Sequence, residues 1–174
     1  MKIVCFGDSN TWGYDPRGLF GGRYDHPWPD MLAAKLGCSV INMGENGREI
    51  PKRAPAIPVD TDLLIVMLGT NDLLQGASAD AVCRDMERFL KELDLDQILL
   101  LAPPPMKPGE WVPTRTLIEE SRSLAAGFGR LSERLGIRFA DAGQWNVPLG
   151  FDGVHLTQEG HSVLAQRLFD IVST

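Results

Sequence analysis

Hydrophobic positions along the chain fall into two kinds of pattern. Five short runs are mostly apolar: KIVCF at 2–6, SVIN at 39–42, LLIVML at 63–68, QILLLA at 97–102 and IRFAD at 137–141. Each predicts a β-strand. The third and fourth are apolar over nearly their whole length, as expected for strands covered on both faces. Between these runs the spacing becomes helical. Trp28, Met31, Leu32 and Leu36 share one face after Pro27. Val82, Met86, Phe89, Leu90 and Leu93 share another, with Ser78 as the expected N-cap and Asp80 in the first turn. Leu117, Leu124, Phe128, Leu131 and Leu135 form a third stripe, weakened by Gly127 and Gly129. A last helix starts near Thr157 and turns Val163, Leu164, Leu168 and Ile171 inward. The segment ENGREIPKRAPAIPVDTD, between the second and third strands, is broken by prolines and predicts at most a short helix.

Alternation of strand and helix predicts a parallel sheet with helices on both faces and right-handed crossovers. The chain has 174 residues, with no repeat, low-complexity tract or linker. One three-layer α/β domain over 1–174 is therefore expected.

In such a sheet, ligands bind beyond the carboxyl ends of the strands. Residues with chemical potential gather at those ends. The first strand leads into GDSN with Ser9, the second into MGENG with Gly44, and the third into GTND with Asn71. After the fifth comes FDGVHL, with Asp152 and His155. Singly, each has a structural explanation. Ser9 suits an N-cap, Gly44 a turn, Asn71 an Asx-turn and Asp152-Gly153 a tight turn, and a lone histidine is commonly structural. Together at one sheet edge they have a chemical use. Ser9 is a nucleophile once a base takes its proton, and His155 is the candidate base. Asp152 can turn back to accept from its Nδ1–H. The Ser9 N–H, the Gly44 N–H and the Asn71 amide are candidate donors to an oxyanion.

Composition narrows the alternatives. A formal net charge of −6 without a Lys/Arg block argues against a nucleic-acid partner. Cys5, Cys38 and Cys83 are widely spaced and read as reduced thiols. No stretch approaches the roughly 20 apolar residues of a membrane span, and the first residues do not resemble a signal peptide. A cytoplasmic protein without membrane attachment is expected. There is no metal-ligand cluster and no Walker loop, so no metal or cofactor is expected.

These motifs resemble those of the SGNH hydrolases, also called the GDSL esterase/lipase family. FGDSNTWG matches the serine block, NMGENG the glycine block, LGTND the asparagine block and DGVHLTQEG the Asp-x-x-His block. The resemblance implies a flavodoxin-like fold with strand order 2-1-3-4-5. It implies catalysis by Ser9, His155 and Asp152, with an oxyanion hole from Ser9, Gly44 and Asn71. GDSNTWGYDP is similar to the branch of arylesterases and short-acyl esterases or acyltransferases. Two positions depart from the family pattern. Asn10 replaces the usual Leu, and Asn46 stands where a small serine is frequent. Asn10 follows the nucleophile, so catalysis should survive while local packing differs.

Two loops should flank Ser9. One, at 11–27, carries Trp12, Tyr14, Phe20 and Tyr24; the other, after the fourth strand, carries Met106 and Trp111. Trp12, Asn10 and Met106 are expected to bind substrate, a small-molecule acyl ester, through apolar and aromatic walls. The same aromatics also suit ordinary loop packing or a contact between copies in a homo-oligomer. Other acyl hydrolases of the same fold (thioesterase, lysophospholipase, sugar O-deacetylase) stay open, as does a binding protein that keeps the fold without turnover. The lack of a long apolar cap segment disfavours long-chain lipid.

Overall fold

The computed structural model describes residues 1–18 and 21–173. In chain order these form β1 (Lys2–Gly7), α1 (Ser9–Trp12), the short strands β2 (Tyr14–Asp15) and β3 (Gly22–Arg23), α2 (Trp28–Leu36), β4 (Ser39–Gly44) and β5 (Leu63–Met67). They continue with α3 (Thr70–Leu74), α4 (Ala79–Lys91), β6 (Ile98–Ala102), α5 (Arg115–Leu135), β7 (Arg138–Asp141), a 3₁₀ turn at Ala142–Trp145 and α6 (Gln158–Val172).

Alternate residues of each strand point to opposite faces of the sheet, and this separates two cores. Phe6, Val66 and Leu100 meet Met86, Phe89, Leu124 and Phe128 from α4 and α5. Ile3, Cys5, Ile65 and Leu99 meet Trp28, Leu32, Leu164 and Leu168 from α2 and α6. Every residue of β5 and β6 is buried, which is why those runs are continuously apolar. The five strands pair in parallel in the order β4-β1-β5-β6-β7. This is the 2-1-3-4-5 arrangement, so the order reverses at β1.

The helices start where their caps place them. Ser78 accepts from Ala81 N, Thr114 from Leu117 N and Thr157 from Gly160 N. The glycines of α5 do not interrupt it. A Cβ at Gly127 would lie 2.3 Å from Cys83 Sγ, so the glycine lets α4 and α5 approach closely. The 45–62 segment contains no helix at all. Its one buried residue, Ile50, is anchored by its N–H, which donates to the Asp72 carboxylate at 3.2 Å. Strand ends shift by one or two residues from the sequence reading. β1 and β4 run on to Gly7 and Gly44, while β5 stops at Met67 and β6 and β7 start at Ile98 and Arg138. The 11–27 loop holds an unexpected antiparallel ladder, with Tyr14 opposite Arg23 and Asp15 opposite Gly22. Phe20 lies outside the described residues.

His161 is enclosed between α2 and α6. Its Nδ1 accepts from Trp28 N at 3.2 Å, and its ring meets Tyr24 edge-on at 5.0 Å. Burial pushes its pKa down to about 4, the Arg23 charge adds to this, and Asp15 opposes it. The fold therefore holds neutral imidazole. That contribution is fully present above the unfolded value near ~6.5 and is lost as pH falls toward the folded value. Lowering the pH from about 7.5 to about 4.5 should reduce the unfolding free energy, measured in urea, by roughly 2–3 kcal/mol more in the wild type than in His161→Gln, whose amide oxygen can still accept from Trp28. Equal losses in the two proteins would contradict this.

Candidate active site

β1 ends at Gly7, and Asp8 turns the chain into α1 by accepting from Asn10 N at 2.9 Å. Burial pushes the Asp8 carboxyl up to about 6, with the Asn10 N–H and nearby His155 pulling the other way. Ser9 is the first residue of that turn, so its hydroxyl stands at the carboxyl end of the strand where the order reverses.

The loop between the 3₁₀ turn and α6 brings in the other two residues. Asp152 Oδ1 accepts from Val154 N and His155 N, each at 2.9 Å, which folds the loop into an Asx-turn. Oδ2 meets His155 Nδ1 at 2.6 Å. Burial would raise the Asp152 pKa, but the bonds from the His155 ring and the two N–H groups outweigh it and hold the carboxyl below its ordinary value. An ionised carboxylate only accepts, so Nδ1 carries the ring proton and Nε2 is left with a lone pair. That lone pair faces Ser9 Oγ at 3.0 Å. Ser9, His155 and Asp152 are 6%, 2% and 1% exposed. Their hydrogen-bonded line is shielded from water, yet it opens at the serine.

Aromatic rings wall the opening. The Tyr14 and Trp111 rings lie 4.4 Å and 4.9 Å from the His155 ring. Trp111 and Phe151 remain 48% and 57% exposed. Beyond Trp111 lies a cleft of about 460 Å³ lined by Leu73, Leu74, Ala77, Pro113 and Leu117.

The donors on the other side of Ser9 differ from the sequence reading. The Gly44 N–H is already committed to Asn42 Oδ1 at 2.8 Å. Gly44 is needed for another reason: a Cβ there would lie 2.1 Å from Trp12 N, so glycine lets α1 sit on β4. The next turn presents an alternative. Arg48 N donates to Glu45 O at 3.2 Å, and Glu45 N to Gly7 O at 3.1 Å. Arg48 fastens this turn to β1: its guanidinium donates to Gly7 O, Met43 O and Glu45 Oε2 and lies over the Phe6 ring. Within the turn, Gly47 has a φ of 75°, and its N–H meets no acceptor among the described residues. Its signal in the sequence is the second glycine of GENG. Asn71, in the first turn of α3, donates one Nδ2–H to Arg48 O at 3.1 Å and keeps the other. Asn71 and Gly47 thus border the same turn.

Two of the expected substrate contacts are not available. Asn10 is buried, and both ends of its amide are used: Nδ2 donates to Val154 O at 3.1 Å, and Oδ1 accepts from Leu156 N at 2.9 Å. Met106 is buried in the α4–α5 core, its N–H bonded to Ser121 Oγ. Trp12 is half-buried, with the Arg23 guanidinium over its ring. Tyr24 faces His161 rather than the site.

Sequence and structure comparisons relate the chain to known proteins. The model of the GDSL-like lipase/acylhydrolase family matches residues 5–163. The chain belongs to that family. Its chemistry is therefore that of a hydrolase acting on esters. An aryl esterase from M. smegmatis is 26% identical, with a TM-score of 0.86 over 99% of this chain and 98% of that one. A putative arylesterase from Agrobacterium tumefaciens str. C58 is 31% identical, with a TM-score of 0.83 over 99% and 98%. A carbohydrate acetylesterase family member from Sinorhizobium meliloti is 26% identical, with a TM-score of 0.83 over 98% and 96%. No curated protein sequence matches the chain. Among the described residues, no helix of this hydrolase is long and apolar enough to cross a membrane.

Proposed function

We propose that the protein is a serine esterase that cleaves short-acyl esters through an acyl-enzyme. The observation that carries this reading is the unbroken line Asp152 Oδ2, His155 Nδ1, His155 Nε2 and Ser9 Oγ, at 2.6 Å and 3.0 Å. Ser9 Oγ attacks the ester carbonyl carbon while Nε2 takes its proton, and Asp152 stabilises the imidazolium. The negative oxygen is met by the Ser9 N–H, the Gly47 N–H and the free Asn71 Nδ2–H, with Gly47 taking the place expected of Gly44. Collapse of the tetrahedral intermediate breaks the bond to the alcohol oxygen, which receives the proton from Nε2. Water, deprotonated by the same nitrogen, then releases the acid from Ser9.

Two features support a short acyl group. The Tyr14 and Trp111 rings pack against His155, 4.4 Å and 4.9 Å from its ring, so bulky aromatics crowd the nucleophile's side of the site. The similar structures include aryl esterases and a carbohydrate acetylesterase family member. The apolar cleft beside Trp111 accommodates the rest of the ester. A panel of p-nitrophenyl acetate, butyrate and octanoate, with an O-acetylated sugar, tests the assignment. Acetate or butyrate should exceed octanoate by at least about tenfold in kcat/KM, the scale on which a few methylenes without a pocket discriminate. A preference for octanoate would contradict the short-acyl reading.

A further inference from the structure

We propose that Asn10 is a positioning residue that sets the distance between Ser9 and His155. The proposal rests on the reading of Ser9 as nucleophile and His155 as base. The Asn10 side chain spans from α1 to the loop carrying His155 and grips it at two points, Val154 O at 3.1 Å and Leu156 N at 2.9 Å. These are the residues on either side of His155. Asn10 is itself covalently next to Ser9. One planar amide therefore joins the backbone beside the nucleophile to the backbone on both flanks of the base, although the two are 146 positions apart in sequence.

The grip is dry. Asn10, Val154 and Leu156 are all buried, so water does not compete and the paired donor and acceptor fix orientation as well as distance. It also completes the support of the loop. Lys107 N donates to Gly153 O at 2.9 Å and Trp111 N to Asp152 O at 3.1 Å, so the Asp152 end is tied to the loop after β6. Asn10 ties the His155 end to α1. A leucine, usual at this position in the family, can make neither bond.

Asn10→Leu would remove both bonds and leave Val154 O and Leu156 N unpaired. Asn10→Asp is nearly isosteric. It keeps an acceptor for Leu156 N but turns a carboxylate oxygen toward Val154 O. In both, kcat on p-nitrophenyl acetate should fall by about 10²-fold, the scale of a 1 Å misplacement, with KM within about twofold. Rates are taken per folded molecule, with circular dichroism melts run alongside. Should Asn10→Leu fail to fold, Asn10→Asp carries the test.

The deciding measurement is a double-mutant cycle with His155→Ala. A residue that acts by placing His155 has nothing left to place once the imidazole is gone. Adding the Asn10 substitution to His155→Ala should then change the residual kcat by less than about twofold. A further loss as large as in the wild-type background would make Asn10 a structural residue and overturn the proposal, as would an unchanged kcat in the single variants. Wild-type turnover in His155→Ala alone would instead overturn the reading of the site, and the clasp's role with it.

Discussion

Ser9→Ala should lower kcat on p-nitrophenyl acetate by roughly 10⁴–10⁶, the range seen when a serine hydrolase loses its nucleophile. The reason is geometric. Ser9 Oγ is the hydroxyl that faces His155 Nε2, at 3.0 Å, and no other group among the described residues offers an oxygen to that lone pair. The fold should be nearly indifferent. The substitution removes one oxygen at the edge of the sheet, where Asp8 still caps α1 through Asn10 N. Unfolding free energy should change by no more than about 1.5 kcal/mol, the usual worth of one hydrogen bond. Turnover above about a hundredth of wild type, in protein that unfolds normally, would remove Ser9 from the nucleophile's role.

Asp152→Asn should cost nearly as much, for a different reason. The amide oxygen can replace Oδ1 and still accept from Val154 N and His155 N, so the Asx-turn is kept and thermal unfolding should move little. The amide nitrogen then faces His155 Nδ1 as a donor. The ring must move its proton to Nε2, and the lone pair that should receive the Ser9 proton disappears. A fall in kcat of about 10⁴ is expected, as for a wrong tautomer in a serine protease. Asp152 is held ionised below the ordinary carboxylate range, so the comparison is unaffected by carboxylate protonation at neutral pH. A loss of less than about tenfold would mean that Asp152 serves the turn and not the base.

Much of the molecule is legible in its residues because the chemistry and the fold share positions. Apolar runs locate the five sheet strands within two residues, most plainly β5 and β6, where every residue is covered on both faces. Strand-end loops then concentrate Ser9, Asn71, Asp152 and His155 at one edge. Less legible is anything decided by where a side chain turns. GENG offers two glycines, and sequence does not say which N–H is spent within the fold; the Asn42 side chain decides it by taking that of Gly44. Asn10 directly follows Ser9 in α1 and Met106 lies in the loop after β6, but the first faces the His155 loop and the second the core. Tyr14 reaches His155 through a two-residue strand that no hydrophobic period announces. The glycines of α5 read as weaknesses because propensity counts their cost and not the Cys83 contact that Gly127 permits.

The most direct test of the account is the site of covalent capture. Wild-type protein treated with a fluorophosphonate, digested and sequenced by mass spectrometry should carry one adduct, on Ser9. Capture should fall with His155→Ala and vanish with Ser9→Ala. An adduct on any other residue, or ester turnover that persists after Ser9 is fully modified, would contradict the account.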